Sequence, residues 1–499
     1  MRRRVSQLSV LSFLFTVGLL AVLESRADAA DGPGFVIQPA QVELNGNFAR
    51  AQLLVTEIGT DGKPNVRSND LTEQATYAPS NPQVVTVDEA GRLLAVGNGE
   101  ADVTVTVDGK SAVTHVTVAN VASVPVIDFQ EDVRPVLSKT GCNMAACHAS
   151  QYGKGGFKLS VFGFSPSADR DAIVRDRVGR RINFLEPTES LFLKKPVMET
   201  PHGGSRRLKA GSVDYQLLTA WIASGAPGPV KTAAKVTGLS VSPKQRVGQM
   251  DMTQQLRVEA SYSDGSTRDV TCWAKFDSMD DATLTVSEFG SVNAIGKGQA
   301  TIMVLFEDHA EISTFIVPHS TTVQLAGWKD NNFVDELAAR KFRELGVEPS
   351  PLCDDATFLR RAFFDAVGTL PPTDVVREFI KSDDAKKREK LVDQLLGLTG
   401  DPKLDVHNDA YAAFWALKWS DLIRNNSNDL GEQGMWSLHN WIRESFRTNK
   451  PFDEFVRELV TAKGSIYSNG PANYFRINKN SSDLAESTAQ LFLGVRLAC

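Results

Sequence analysis

The stretch TVDEAGRLLAVGNGEADVTVTV, residues 86–107, decides the fold of the first part of the chain. It returns some 200 residues later as TVSEFGSVNAIGKGQATIMVLF, residues 285–306. Both copies alternate apolar and polar residues, as strands with one buried face do. Three glycines of the first copy align with three of the second: Gly91, Gly97 and Gly99 with Gly290, Gly296 and Gly298. Tight turns favour such residues because they tolerate positive φ, so the repeat predicts two β-sandwiches.

The second copy also carries the turn YSDG at 262–265, followed by DVT at 269–271, and the first copy has a looser TDGK at 60–63. With these motifs both copies resemble the bacterial immunoglobulin-like (Ig-like) group 2 domain. The resemblance places the domains at 32–120 and 234–318. It implies a spacer or binding module outside the cytoplasm, without catalysis.

The N-terminus has the features of an export signal. Three arginines precede the apolar run LSVLSFLFTVGLLAVL, which ends near Ala27-Asp28-Ala29. Residues 1–29 are therefore predicted to be a cleaved signal peptide, with an uncleaved membrane anchor as the alternative. Cleavage shifts the formal net charge from −6 to −8. We expect an extracytoplasmic protein, in the periplasm or at the cell surface, that does not bind nucleic acid and has no membrane span beyond the signal segment.

The segment GCNMAACHAS, residues 141–150, contains Cys142, Cys147 and His148. A c-type haem is held by two cysteine thioethers, and the histidine after the second cysteine binds the iron. The usual cysteines are three apart. Here they are five apart, which is about 140° around a helix, so a bulged loop is needed to present both to one porphyrin edge. A disulfide and a zinc site that includes His202 are the alternatives, and the residue types alone leave haem and disulfide open.

The surrounding sequence favours haem. The run GCNMAACHASQYGKGGFKLSVFGFSPSADRDAIVRDRVGRRIN, then SLFLKKPVMETPHGGSRRL and YQLLTAWIASGAP, resembles the planctomycete-type cytochrome c domain, in which CxxxxCH occurs beside CxxCH. The resemblance covers residues 124–229. It implies a small, mainly α-helical domain with haem c bound covalently through Cys142 and Cys147.

The same resemblance implies the ligands of the haem iron. His148 is expected to be one axial ligand. Met198 and His202 are the two candidates for the other, and the PHGG motif at 201–204, which is similar to the HGGG of that family, favours His202. Iron is therefore expected between His148 and His202.

From residue 331 the hydrophobic period becomes that of helices, which predicts a bundle of about eight helices. The motifs FLRRAFFDAVGTLPPTDVVREFI and HNWIRESFRTNKPFDEFVRELVTAKGS make residues 331–499 resemble the helical domain of unknown function that accompanies this cytochrome family. In the resembling proteins the last helix leads into a CxxCH site. Cys499 matches its first cysteine, so we expect an incomplete helical domain and a truncated product or fragment with a lost second haem motif.

The predicted architecture is multidomain: two all-β Ig-like sandwiches flank a small mainly α cytochrome c-like domain, and an all-α helical domain follows. The preferred function is electron transfer through haem, with an unknown redox partner, serving an oxidation by a partner or missing domain. One alternative is a cell-surface scaffold without haem that binds a polysaccharide or another cell-envelope ligand. A weaker alternative is a polysaccharide-active enzyme that uses Asp421 or His439 of the helical domain.

Overall fold

The computed structural model describes residues 34–59, 61–230 and 233–497. The signal peptide predicted at 1–29 and the terminal Cys499 lie outside the described residues. The chain forms two compact units, which divide between Pro349 and Ser350. A β-rich N-terminal region and an Ig-like β region belong to the first unit, and the second unit is all-α, so the predicted multidomain order is confirmed at this level.

The first β region is a sandwich with one core. Its strands are β1 (Phe35–Gln38), β2 (Gln41–Asn45), β3 (Arg50–Gln52), β4 (Leu54–Glu57), β5 (Thr76–Pro79), β6 (Val85–Val87), β7 (Arg92–Ala95), β8 (Gly99–Val107) and β9 (Lys110–Ala119). One sheet has the order β2-β9-β8-β5, another β3-β7-β6, and β1 pairs with β4. Alternate residues of β8 are buried against the facing sheet, as the predicted period of two requires.

The second β region repeats this topology. Its strands are β10 (Val236–Ser242), β11 (Gln245–Val247), β12 (Thr253–Gln255), β13 (Arg257–Tyr262), β14 (Thr267–Asp269), β15 (Lys275–Ser278), β16 (Leu284–Val286), β17 (Ser291–Ala294), β18 (Gly298–Phe306) and β19 (His309–Val317). The sheets β11-β19-β18-β15 and β12-β17-β16 match the two larger sheets of the first region, and a third sheet has the order β10-β13-β14. In both regions the first strand of the four-stranded sheet pairs in parallel with the last. The repeat in the sequence is thus a repeat of the fold.

The aligned glycines are required by two different constraints. Gly91 and Gly290 have φ of 73° and 83°. A Cβ added to Gly91 would lie 2.9 Å from the Tyr77 hydroxyl, and one added to Gly290 would lie 2.8 Å from the Phe276 ring. At Gly97 the φ is not left-handed, and the constraint is a carbonyl oxygen that a Cβ would approach to 2.6 Å. The predicted need for positive φ is therefore wrong for this second glycine, which is needed for a close approach of two backbones.

Between the sandwiches lies a small helical domain, hereafter the middle domain. Its helices are α1 (Arg134–Lys139), α2 (Pro166–Val174), α3 (Leu191–Lys194) and α4 (Val213–Ala223), with short helical turns at Phe129–Val133, Lys154–Gly156, Val161–Gly163 and Pro187–Glu189. Helix α4 is amphipathic, and its apolar side is buried through Leu217, Leu218, Trp221 and Ile222. The Trp221 ring lies 5.6 Å from that of Phe129, and its indole N–H donates to the Pro227 carbonyl. This core fixes the loops that follow α1 and α3.

The two sandwiches also contact each other, and the contacts are reciprocal. The backbone N–H of Gln52 in β3 donates to the carboxylate of Asp269 at 3.0 Å. The backbone N–H of Gln255, the equivalent residue of β12, donates to the carboxylate of Asp70, the equivalent of Asp269, at 2.5 Å. Both carboxylates are buried, with Asp70 7% exposed. The first unit therefore contains an approximate internal two-fold relation at this junction.

The middle domain is joined to both sandwiches by charged contacts. Asp214 in α4 pairs with Arg50 of the first sandwich at 2.5 Å. The Lys139 ammonium at the end of α1 donates to the Ala274 carbonyl of the second sandwich at 2.5 Å. Arg134 also forms an ion pair with the second sandwich. The three modules of the first unit are thus held by partly buried polar contacts.

The remaining helices extend to the end of the described chain. They are α5 (Phe333–Leu345), α6 (Asp355–Val367), α7 (Thr373–Lys381), α8 (Lys387–Leu396), α9 (Asn408–Ile423), α10 (Ser427–Arg447), α11 (Phe452–Thr461), α12 (Asn473–Ile477) and α13 (Ser481–Thr488). Helix α5 belongs to the first unit, where the Leu345 carbonyl accepts the N–H of His319. Helices α6 to α13 form the second unit. Among the described residues, none of the helices combines the length and the apolar character needed to cross a bilayer.

Candidate functional site

The cysteine motif forms a compact loop immediately after α1. The loop is closed by three backbone hydrogen bonds: Cys142 N–H to the Leu137 carbonyl at 2.9 Å, Cys147 N–H to Met144 at 2.9 Å, and His148 N–H to Cys142 at 3.1 Å. Gly141, with φ of 73°, turns the chain out of the helix. The segment is therefore a series of turns rather than a regular helix, which is the geometry that the wide cysteine spacing requires.

Both cysteines of the motif are free thiols in this structure. The Cys142 sulfur lies 3.3 Å from the Thr140 hydroxyl. Burial raises the pKa of the Cys142 thiol above its usual value, and the neighbouring Cys147 adds to that rise. A buried neutral thiol is a weak nucleophile, so Cys142 does not have the environment of a catalytic thiolate.

His148 and His202 come together from two different loops. Their ring centroids are 6.3 Å apart and their planes differ by 19°. Nδ1 of His148 lies 3.0 Å from the Phe157 carbonyl, and Nδ1 of His202 lies 2.8 Å from the Ser205 carbonyl. Because a carbonyl oxygen only accepts, each Nδ1 carries a proton and donates it, so Nε2 is the nitrogen that has the free lone pair when the imidazole is neutral. This is the arrangement that orients metal-binding histidines in proteins.

A cavity of about 530 Å³ lies beside the two rings. Cys142, His148 and His202 line it, together with the apolar side chains of Phe157, Leu191 and Phe192. Its other charged lining residues are all basic: Lys154, Arg177, Arg180, Arg181 and Lys195. The volume is within the range of about 300–1,000 Å³ that is typical of small-molecule and cofactor sites. The cavity therefore suits a flat, largely apolar group that carries negative charge at its edge.

The donor set fits an iron porphyrin better than a bare zinc ion. The rings of His148 and His202 lie at the wall of one cavity, with centroids 6.3 Å apart, so two imidazole ligands are available to a group bound there. Structural zinc needs four ligands. Within the described residues no three His, Cys, Asp or Glu side chains form a group that could hold an ion. A porphyrin supplies its own four nitrogens, so two histidines are sufficient.

Met198, the other candidate for the second axial position, is placed differently. Its side chain is 43% exposed and its φ is 71°. It is absent from the residues that line the cavity, whereas His202 is among them. Of the two candidates for the second ligand, His202 is the one that the structure shows to lie next to His148.

Phe157, which lines the cavity, has no counterpart in the sequence predictions. Phe157 supplies the carbonyl that orients His148, and the Arg181 guanidinium lies over its ring at 4.4 Å. In the sequence this loop is the glycine-rich stretch QYGKGGFK, residues 151–158. A Cβ on Gly153 would lie 2.1 Å from the Phe157 carbonyl oxygen, so the tight turn that delivers this carbonyl needs glycine. A glycine-rich stretch shortly after a cysteine-histidine pair is therefore the clue that points to Phe157.

The helical unit does not gather its candidate residues into a comparable site. Nδ1 of His439 lies 3.4 Å from the Ser420 hydroxyl, and burial lowers the pKa of His439. Among the described residues, the ion pair of Asp453 is a long, exposed one with Arg457, at 3.8 Å. Trp436, 55% exposed, stacks edge-on against His439, while Trp419 packs among core phenylalanines. The weaker prediction of a polysaccharide-active enzyme gains no support from these contacts.

Two protein families match parts of the chain. Residues 333–499 match PSCyt2, a protein family of unknown function (DUF1549), and residues 235–314 match the bacterial Ig-like domain, group 2. The predictions of an Ig-like module and of a helical domain of unknown function are thereby confirmed. No curated protein matches the sequence.

Solved structures give only loose overlaps. Domains 5–6 of the S-layer protein SbsC are 11% identical over 57% of this chain and 96% of theirs, with a TM-score of 0.22. A C-terminal fragment of intimin, in complex with the intimin-binding domain of its translocated receptor, is 12% identical over 71% of this chain and 88% of its own, with a TM-score of 0.12. TM-scores this low do not indicate a common fold, and we draw nothing from them.

Neither family match covers the middle domain at 124–229. The cytochrome c resemblance, the haem and the planctomycete origin therefore stay predictions. What the comparisons show is an Ig-like group 2 domain at residues 235–314 and a helical region of the PSCyt2 family at residues 333–499.

Proposed function

We propose that this chain is a cell-envelope scaffold protein in which a pair of Ig-like modules holds the middle domain. The observation that supports this is the Ig-like match at 235–314, together with the same strand order in the first sandwich. The reciprocal hydrogen bonds between Gln52 and Asp269 and between Gln255 and Asp70 would hold the two Ig-like modules in a fixed relative position. Two modules fixed in this way would also fix the position of the middle domain between them, and this role needs no catalytic residue.

The location of the protein on the cell tests this proposal. Intact cells expressing the full chain would be treated with a protease that cannot enter them, and cell fractions would be probed with an antibody. We expect the Ig-like modules to be found outside the cytoplasm, in the surface or periplasmic fraction. Recovery of the intact chain in the cytoplasmic fraction only would overturn the proposal.

A second function, electron transfer by a c-type haem, is favoured by the paired rings of His148 and His202. In this function Cys142 and Cys147 would hold the group covalently and the two Nε2 atoms would ligate its iron. A bound haem supplies a one-electron redox couple. The residues of this chain would orient the ligands, through the carbonyls of Phe157 and Ser205, and would exclude water with the apolar wall.

The basic lining of the cavity also supports haem. A haem carries two carboxylates, and the cavity has five cationic side chains and no acidic one among the described residues that line it. Arginine and lysine pair with carboxylates through charge-assisted hydrogen bonds. Arg177 and Arg180 are exposed, so they can pair with carboxylates at the cavity mouth without being buried themselves.

Absorbance spectroscopy tests the haem function directly. The protein would be produced with a cytochrome c maturation system, and its reduced-minus-oxidised spectrum would be followed by a denaturing gel stained for covalent haem. We expect a reduced α-band and a stained band that are lost in Cys147→Ala and retained in Cys353→Ala, a matched cysteine outside the motif. A colourless protein with a Cys142–Cys147 disulfide would exclude haem and leave the scaffold proposal standing.

A further inference from the structure

A second cavity lies where the three modules of the first unit meet, and no known activity explains it. Its volume is about 910 Å³. The first sandwich contributes Arg50, Gln52 and Arg92 to its walls. The middle domain contributes α1, the loop before α4 and the start of α4, and the second sandwich contributes the segment around Asp269 and Glu288. Ligand sites occur preferentially at such junctions between domains.

The walls of this junction cavity are held in place by the module contacts. Arg50 pairs with Asp214 at 2.5 Å, and the Gln52 N–H donates to Asp269 at 3.0 Å. The Lys139 ammonium bridges from the middle domain to the carbonyls of Ala274 and Glu288. A ligand entering here would therefore meet a preformed site, which lowers the ordering cost of binding.

Among the charged side chains that line the cavity, most carboxylates have an ion-pair partner in the described structure, whereas most cations do not. Three of its four carboxylates already have a cationic partner: Asp88 with Arg92, Asp214 with Arg50, and Asp269 with Arg257. Only Glu288 forms no ion pair within the described residues. Four cations that line the cavity also lack a carboxylate partner in the described part of the chain: Lys139, Arg206, Arg207 and Lys209. The cavity therefore has an excess of positive charge, although the whole chain has a formal net charge of −6.

The wall also contains buried polar atoms without a partner. Arg50 Nε is a donor and Gln52 Oε1 is an acceptor, and neither makes a hydrogen bond within the described structure. Unpaired buried polar groups are rare in proteins and call for a partner. An inorganic anion can accept a hydrogen bond from Arg50 but cannot donate one to the amide oxygen of Gln52. A ligand that carries both hydroxyl groups and negative charge offers both kinds of partner, and small side-chain shifts of Arg50 and Gln52 would bring these atoms to it.

We propose that the junction cavity binds an anionic saccharide, one whose sugar units carry carboxylate or sulfate groups. The excess cations would pair with its charges, and its hydroxyl groups would satisfy the polar wall. The net negative charge of the chain would not favour such a ligand in general, so its binding depends on local groups of cations such as this one. This inference does not depend on haem.

Binding measurements on the full-length protein test the proposal. The probes are a short oligogalacturonate for carboxylated sugar, a chondroitin sulfate oligosaccharide for sulfated sugar, a dextran oligosaccharide as the neutral sugar, and sodium sulfate as the simple anion. We expect one or both anionic oligosaccharides to bind with an affinity that falls as salt is raised. Tighter binding of one of them would identify the charged group.

The double variant Arg206→Glu/Lys209→Glu should weaken this binding at least tenfold. Both side chains are exposed, so their reversal should leave the fold intact. The matched control is Lys158→Glu/Arg175→Glu, which changes the net charge of the same domain equally but lies away from the cavity; we expect it to change affinity less than twofold. Failure of both anionic oligosaccharides to bind, equal binding of dextran or free sulfate, or equal effects of the two double variants would overturn the proposal.

Discussion

The carboxylate of Asp269 in the second sandwich accepts the backbone N–H of Gln52 in the first, and also the N–H of Thr271 and the Nε–H of Arg257, at 2.9 to 3.0 Å. One buried side chain thus satisfies donors from two modules. A carboxylate with this many donors is stable in a buried position only while all of them stay in place.

Asp269→Ala should therefore destabilise the first unit by about 3 kcal/mol, because it leaves the Nε–H of Arg257 and the backbone N–H of Gln52 without an acceptor, although Arg257 keeps its ion pair with Glu259. Thermal or urea unfolding of the full chain, followed by circular dichroism, measures the change. Asp308→Ala is the matched control, since that side chain is 84% exposed and its ion pair is with the adjacent His309. Equal losses in the two variants would contradict a structural role for the junction.

Asp132 should make stability depend on pH in an unusual direction. Burial raises the pKa of its carboxyl to about 6. Since the folded-state pKa lies above the unfolded value of about 4, the folded protein binds the proton more tightly. The favourable contribution of Asp132 to the free energy of unfolding is therefore complete below pH 4 and is lost as the pH rises through 6.

Asp132→Asn should remove this dependence and stabilise the protein at pH 7 by about 2 kcal/mol, because the neutral amide keeps an oxygen for the Asp128 N–H. Melting temperatures of both proteins at pH 4, 5, 6 and 7 test it. We expect the two curves to approach each other at pH 4 and to diverge above it. A variant that is less stable than the wild type at pH 7 would show that the carboxylate is needed.

Cys272 should resist modification in the folded protein. Burial raises the pKa of its thiol to about 12, so almost none is in the reactive thiolate form at neutral pH. Iodoacetamide labelling at pH 8, read by peptide mass spectrometry, should modify the half-buried Cys353 at least tenfold faster than Cys272, and the difference should disappear in urea. Fast labelling of Cys272 in the native protein would indicate an open junction.

If the proposed haem is bound, His202→Ala should leave it attached, because the thioether bonds would depend on the cysteines, but should remove one of the two histidines proposed to hold its iron. The expected signs are a shifted Soret band and binding of carbon monoxide to the reduced protein, which the wild type should resist. Met198→Ala, an exposed position outside the cavity, should leave both properties unchanged. If Met198→Ala has the effect expected of His202→Ala, the ligand assignment is wrong.

The β topology could be predicted from the sequence because its determinants are local. Alternation of buried residues in β8 and β18 and the aligned glycines repeat in both copies, and each depends on neighbours a few positions away. Helix α4 was equally readable, since Leu217, Leu218, Trp221 and Ile222 share one face. In these elements the period of the apolar residues directly gives the buried side.

The candidate site was only partly predictable. The sequence shows directly that three residues of the site are close together, because Cys142, Cys147 and His148 lie within seven positions of the chain. The proximity of His148 and His202 depends on two loops that are anchored by the shared core of Phe129 and Trp221, and in the sequence only the resemblance of the PHGG motif pointed to it. The junction cavity was invisible for the same reason, because its walls come from three modules.

The reciprocal exchange at the module junction has an evolutionary consequence. A surface that offers both a strand N–H and a buried carboxylate at the right spacing is complementary to its own copy, as in a two-fold symmetric homodimer. Duplication of a single ancestral module would thus have produced two halves that already fit each other. A domain encoded by a gene segment inserted between such halves would lie in the same position between the two modules in every copy of the protein. Duplicated modules of this kind can therefore readily acquire a new domain.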